Sequence, residues 1–405
     1  MRHLAHRAGQ QNSVCFVTRS RALLQLLGGE ELPVTGGAEV QMSQAALYLA
    51  AAGWDVGFTV YDMGQDDEVL GRDNIRLIRG YRHDGGIPGF RRLTHKLPRL
   101  WSALVRADAD VYVIRGASWV SGLVAFYARR KGRHSVIWMA SDRDPVWGLP
   151  GHIVDINGQR ISSLDAALYR YALTNCDLIV AQTEAQRELL RQARNLEAVV
   201  VPNMVSCDGE IANREPANQV LWVGNFRPVK RPEMVLDIAD KLPHLQFVMI
   251  GGPKIGHEKL YEECQRRAAG IPNLEFLGPL PFADTDRYFP RASVLLLTSE
   301  SEGFPNVLLQ AWAHGTPTVS TFDPDGLIQK HGLGYHCHSA DEAAARIQEL
   351  VADPALRDGI GRRAREYVAA HHSPEVIMPR VEELLLGLLA QSARTTRAHG
   401  RSQGT

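Results

Sequence analysis

From residue 14 onward the chain repeats one pattern, a short run of β-branched and aliphatic residues followed by a stretch of helical periodicity. The runs are VCFVT (14–18), DVGFTV (55–60), DVYVI (110–114), SVIWM (135–139), DLIVA (177–181) and AVVVP (198–202). Strands that are apolar along their whole length must be covered on both faces, which is the condition of parallel strands linked by crossover helices. The segment Asn203 to Asn218 is polar, aperiodic and carries a proline, as a linker does. Beyond it the pattern restarts with QVLWVG (219–224), QFVMIGG (246–252), NLEFLG (273–278), SVLLLT (293–298) and PTVST (317–321). The 405 residues exceed one ordinary core. The expectation is therefore α/β, with two Rossmann-like, doubly wound domains facing a cleft and ligands held outside the carboxyl ends of the strands. The boundaries predicted are 12–203 and 204–372, then a closing helix over 373–391 able to pack back on the first domain, and a disordered tail over 392–405.

Composition excludes several classes. Lys plus Arg and Asp plus Glu are both 45, so no global field calls for nucleic acid. The cysteines Cys15, Cys176, Cys207, Cys264 and Cys337 lie far apart without a CxxC pair, which argues against a disulfide framework or a zinc site and suits a reducing compartment. The opening residues carry charge but no apolar signal core, and no apolar stretch reaches the length of a membrane span. A cytoplasmic protein is expected.

Chemistry concentrates in LTSESEGFPNVLLQAWAHGTPTV (297–319). Glu302 follows a strand and immediately precedes a helix whose first turn can hold Pro305 and whose free N–H groups and dipole favour a diphosphate, with Asn306 and Val307 at its head. Asn306 and Gln310 are four apart and share one helix face. Gly36 and Gly37 precede another helix, where the missing Cβ lets backbone approach a phosphate or sugar. Between Arg79 and Arg106, six basic residues (Arg82, Arg91, Arg92, Lys96, Arg99, Arg106) interleave with Phe90, Leu93, Leu97, Leu100, Trp101 and Leu104. A basic amphipathic segment of that kind suits an anionic membrane surface or a lipid-diphosphate acceptor; as a solvated helix packed by its apolar face it would do neither.

Glu302, GFPNVLL and position 310 resemble the E-x7-E signature of family 4 glycosyltransferases, which have the GT-B fold and retain anomeric configuration. TGGAE (35–39), VPN (201–203) and WVGNFRPVKRPE (222–233) resemble the family's glycine-rich loop, interdomain segment and phosphate-binding strand-loop-helix. The resemblance implies that Glu302 contacts the donor sugar, that Lys230 and Arg227 compensate the diphosphate together with Gly36, Gly37, Asn306 and Val307, and that Gln310 holds the ribose. It puts the base near Gly278 to Leu280. Three positions depart from the pattern: Asn225 stands where an arginine is usual, Gln310 in place of the second glutamate, and Ser141 and Asp142 where many members have a histidine. Asp142 is read as a contact to donor sugar or acceptor, with Arg115 and Gly116 on the acceptor side. No DxD motif stands against the phosphates, so neither a metal nor another cofactor is expected.

The resulting expectation is a retaining glycosyltransferase that moves a sugar from a UDP- or GDP-sugar to a saccharide or lipid-linked acceptor, in cell-surface polysaccharide or glycolipid assembly, at the inner face of the membrane. Two rivals share the fold: an epimerase that turns over donor without acceptor, and a silent scaffold subunit.

Overall fold

The computed structural model describes residues 11–18, 20, 22–28, 37–154, 159–208, 218–254 and 256–401. In the first domain, β1 (Ser13–Val17), β2 (Asp55–Val60), β3 (Glu68–Leu70), β4 (Arg76–Arg79), β5 (Val111–Arg115), β6 (His134–Trp138), β7 (Leu178–Ala181) and β8 (Val199–Val200) form one sheet in the order β3-β4-β2-β1-β5-β6-β7-β8. All neighbours are parallel except β3 with β4. The crossovers carry α1 (Ala22–Gly28), α2 (Gly37–Ala51), α3 (Leu97–Ala107), α4 (Trp119–Lys131), α5 (Ser163–Asn175) and α6 (Glu184–Arg194).

The second domain holds a six-stranded parallel sheet, β11-β10-β9-β12-β13-β14, built from β9 (Gln219–Val223), β10 (Gln246–Ile250), β11 (Leu274–Gly278), β12 (Val294–Leu297), β13 (Thr318–Ser320) and β14 (Gly334–His336). Its helices are α7 (Pro232–Lys241), α8 (Glu258–Ala268), α9 (Phe282–Asp286), α10 (Asn306–Ala313), α11 (Leu327–His331), α12 (Ala340–Ala352) and α13 (Pro354–His371), and the chain closes with α14 (Pro374–Arg401). Several starts are set locally: Ser162, Thr183, Ser339 and Asp353 each accept a hydrogen bond from the N–H three residues on.

Alternate residues of each strand serve opposite faces. In β1, Val14 and Phe16 join the core under α2 and α14, while Cys15 and Val17 join the core under α3, α4 and α5. In the second domain Val220 and Trp222 face one core, and Leu221 faces the other with α10.

Three predicted features are corrected. The sequence pattern did not mark β3, β4 or β14; each is only three or four residues long, and β4 (RLIR) begins and ends with arginine rather than running apolar. The basic segment 79–106 is not one amphipathic helix. It contains the end of β4, a π-helical turn Arg92–Lys96 and α3. Leu100 and Leu104 are core, whereas Ile87, Phe90 and Leu93 are exposed. The tail from 392, expected to be disordered, is helical through Arg401 as the end of α14; residues 402–405 lie outside the described residues.

The closing helix α14 follows the second domain in sequence but buries Ile377, Met378, Val381, Leu385 and Leu388 in the core of the first. Glu382 accepts a hydrogen bond from Trp54 Nε1 (2.9 Å) at the same contact. Leu385→Ala is therefore expected to destabilise the protein by about 2–5 kcal/mol in urea unfolding, and a loss below about 1 kcal/mol would show that the helix is not seated there.

Candidate active site

Two loops at the carboxyl ends of β9 and β12 are tied into one unit. Glu300 N–H donates to the Val229 carbonyl (2.8 Å), the Thr298 hydroxyl to the Lys230 carbonyl (2.6 Å), and Arg231 Nε to the Thr298 carbonyl (2.7 Å). Arg231 makes that contact from a left-handed backbone (φ 46), between the 3-10 turn Pro228–Lys230 and α7. These bonds bring the Lys230 ammonium onto the Glu302 carboxylate, and Ser299 Oγ donates to the same oxygen of Glu302 (2.7 Å). Both side chains of the pair are 13% exposed, so the pair is sheltered yet open to the cleft. Arg227 lies half-buried beside them, and its Nε has no partner among the described residues. The head of α10 at Asn306 and Val307 has no side-chain cap, which leaves the positive end of that helix facing the same region.

The first domain closes over this unit through Asn306. Its Nδ2 donates to the Gly37 carbonyl (3.0 Å), and a Cβ on Gly37 would stand 2.7 Å from that nitrogen, so glycine is required for the approach. Asn306 Oδ1 accepts from Asn203 Nδ2 (2.8 Å). The Asn306 side chain, expected on the diphosphate, is thus committed to the domain contact, and what it leaves for a phosphate is the backbone at the helix head. Gly36 lies outside the described residues. Asn203, in the interdomain segment, also donates to the Phe304 carbonyl and accepts from Arg115 Nη2 (2.7 Å) and Gln182 Nε2 (2.8 Å).

Asp142 follows β6 and is held by one bond, from Gln186 Nε2 to Oδ1 (3.0 Å). Burial pushes its carboxyl up to about 7; the Gln186 hydrogen bond opposes the rise and the charge of Glu302 adds to it. The Glu302 loop lies flat on this part of the first domain, since a Cβ on Gly303 would come 2.9 Å from the Ala140 carbonyl and 3.0 Å from Gln186 Nε2. Asp144, fully enclosed, accepts from the N–H groups of Ala140 (2.6 Å), Ser141 (3.2 Å) and Ala117 (3.3 Å), fixing the loop that presents Asp142. Burial likewise raises the Asp144 carboxyl and lowers the Arg115 guanidinium to about 10, with Asp144 holding Arg115 partly up. Arg115 stacks on Trp138, 5.1 Å from the ring centroid.

Glu302, Lys230, Gly37, Asn306 and Asp142 therefore converge, with Arg227 on the loop of Lys230 and Val307 on the first turn of α10. Gln310 lies one turn along α10, 7% exposed, donating to Asp286 Oδ1 (3.3 Å), and Asp286 also meets His314. Leu280 is partly buried against the core of the second domain. Sequence reasoning missed Asn203 as a junction, Asp286, Gln182, Gln186 and Ser299. Only Asn203 carried a signal, its place in VPN; Asp286, Gln182 and Gln186 take their site contacts from partners 21 to 44 residues away, and Ser299 bonds Glu302 across a loop with no periodic pattern. A cavity of about 470 Å³, lined by Gln182, Phe304, Asp325 and Tyr367 among others, touches none of Lys230, Glu302 and Asp142, so the site rests on its chemistry and not on the size of an opening.

Among the described residues no helix is long and apolar enough to cross a membrane. Residues 36–204 match the family described as glycosyl transferase 4-like domain, and residues 208–367 match glycosyl transferases group 1. A D-inositol 3-phosphate glycosyltransferase of Kribbella flavida is 27% identical over 300 residues, covering 65% of this chain and 70% of that protein. The fold is shared with sucrose-phosphate synthase from Thermosynechococcus elongatus (TM-score 0.75, 20% identity, 94% of this chain and 100% of that one). It is shared also with Anabaena HepE in complex with UDP and glucose (TM-score 0.69, 16% identity, 93% and 100%). With one family model on each domain and the two sheets facing a common cleft, the chain belongs to the family 4-like glycosyltransferases of GT-B fold.

Proposed function

We propose that this glycosyltransferase transfers a sugar from a UDP- or GDP-sugar to a saccharide or lipid-linked acceptor, with retention of anomeric configuration and without a metal. The observation that carries this reading is the sheltered Lys230–Glu302 pair beneath the uncapped head of α10. The diphosphate enters between them: Lys230 turns to the phosphate oxygens with Arg227, the N–H groups of Asn306 and Val307 receive the same charge, and Glu302, released from the lysine, accepts hydrogen bonds from the sugar hydroxyls. The cationic side chains supply the compensation a metal would otherwise give. The acceptor hydroxyl attacks C1 from the face the leaving group departs. The bond from C1 to the phosphate oxygen breaks as the new glycosidic bond forms, and the hydroxyl proton passes to that phosphate oxygen. Gln310 binds the ribose and backbone near Leu280 the base. The UDP and glucose bound by HepE and the inositol phosphate named for the Kribbella protein support a nucleotide donor and a polar acceptor.

The work is proposed for the cytoplasmic face of a membrane. Exposed Ile87, Phe90 and Leu93 share this segment with exposed Arg82 and Arg99, although part of the basic charge is spent internally, Arg92 on Asp165, Arg79 on Asp67 and Arg82 on Asp62. The apolar side chains then carry more of the contact than the charge.

Lys230→Ala should weaken UDP or GDP binding about 10- to 150-fold by calorimetry, the worth of a charge-assisted hydrogen bond. Glu302→Gln should leave that affinity unchanged or tighter, because the lysine is freed, while kcat falls more than about tenfold. Activity of Glu302→Gln within about twofold of wild type would remove Glu302 from the sugar site.

Asp142 titrates near 7, protonated below and a carboxylate above. If the carboxylate is the form that receives a substrate hydroxyl, kcat/KM rises with pH through about 7, and Asp142→Asn loses that limb. An unchanged profile in Asp142→Asn would assign the limb to another group.

Cosedimentation with vesicles containing anionic lipid should be lost in Phe90→Ser/Leu93→Ser while UDP binding is kept. Equal partitioning of variant and wild type would place the acceptor in solution.

A further inference from the structure

The first turn of α6, in the first domain, is capped from the second. The side chain of its own N-cap residue, Thr183, accepts the Gln186 N–H (3.1 Å). The N–H groups of Glu184 and Ala185 instead donate to the two carboxylate oxygens of Asp325, at 2.8 and 3.0 Å. Asp325 sits in the turn Pro324–Gly326 after β13, with its backbone in the left-handed region (φ 50) that favours glycine. A carboxylate held on two N–H groups at a helix start gains both charge-assisted bonds and the helix dipole.

The turn so capped is the one that orients Asp142. Gln186, 1% exposed, accepts the Gln182 N–H on Oε1 (2.8 Å), which fixes its amide and aims Nε2 at Asp142 Oδ1 (3.0 Å). Gln182 in turn binds Asn203 (2.8 Å), and Gly303 of the Glu302 loop rests on both glutamines. A continuous path runs from a carboxylate of one domain, through the head of a helix and a buried amide of the other, to the acid beside Glu302.

We propose that Asp325 is a positioning residue of the transfer reaction: by capping α6 across the domain boundary it fixes Gln186, and through Gln186 it holds Asp142 against the Glu302 loop when the two domains are together. The proposal rests on the reading of Asp142 and Glu302 as substrate contacts. It gives the strained turn a reason, since only a carboxylate at this φ offers an acceptor oxygen to each of the two N–H groups of α6.

Asp325→Gly tests it, because glycine suits the left-handed backbone and removes the carboxylate without loss of fold. Hydrogen exchange on the intact protein should show faster exchange at Glu184 and Ala185, with β9 to β12 unchanged. With UDP-glucose as donor, or GDP-mannose if the wild type prefers it, kcat should fall about tenfold while the dissociation constant of UDP or GDP stays put. Asp325→Asn, whose amide oxygen still accepts one N–H, should fall between Asp325→Gly and the wild type. Asp325→Gly/Asp142→Asn should be no slower than Asp142→Asn alone, whereas a general structural defect would multiply the two losses. Unchanged exchange at α6, or multiplied losses, would overturn the proposal. An Asp142→Asn enzyme as fast as the wild type would instead overturn the reading of the site, and the exchange measurement would still report on the clasp.

Discussion

The carboxamide of Asn203 has two donors and room for two acceptor contacts, and all four are used inside the protein. Oδ1 receives Arg115 and Gln182 from the first domain, and Nδ2 serves Phe304 and Asn306 of the second. The residue is 2% exposed, so any unmet bond would be an orphaned polar group out of reach of water. Its own carbonyl receives His372 Nδ1 (2.7 Å), and burial holds His372 down to about 4, neutral and therefore with one N–H to give. No apolar side chain and no other short polar one meets that geometry. This saturated amide is the hub of the contact between the two domains, to which Asn306 on Gly37, Asp325 on α6 and the seat of α14 add.

Around that junction the cleft separates its charges by environment. Lys230 and Glu302 sit as a matched pair on two loops stitched by backbone bonds, which keeps two charges in a sheltered place at modest cost. Asp142, a few residues beyond the end of β6, is bound by the Gln186 amide and pushed toward neutrality by burial. Glu302 and Asp142 are thus distinct in setting: one is paired with a lysine, the other is raised by burial to about 7. A nucleotide diphosphate brings charge to compete for the lysine, which couples donor entry to release of the glutamate.

Legibility followed the length and uniformity of the signal. Predominantly apolar strands such as β1, β2 and β5 announced themselves, because burial on both faces selects for apolar side chains. β4 did not: Arg76 and Arg79 occupy two of its four positions, and each is neutralised by acids brought from β2, β3 or the loop before β3. The segment 79–106 shows the reverse error, in which the apolar and basic residues share a helical spacing in sequence but divide between core and surface once the π-helical turn rotates them. At the site, the strand-end positions of Glu302, Lys230 and Asp142 were readable, since a doubly wound sheet puts strand ends at the cleft whatever its details.

The sequence by itself determined the two arrays of strands and which strand ends carry the polar loops, because these follow from local periodicity and from the chirality of parallel crossovers. It also carried the acid, the base and the helix head that meet there. Only the tertiary structure decided that Asn306 is spent on Gly37 and Asn203, that Gln186 aims Asp142, and that Asp325 caps a helix of the other domain. Those bonds join residues from 44 to 269 positions apart. Hydrogen-bond partners at such separations leave no periodic trace along the chain; they are selected when buried polar groups, brought together by the folding of apolar strands, must each find a donor or an acceptor.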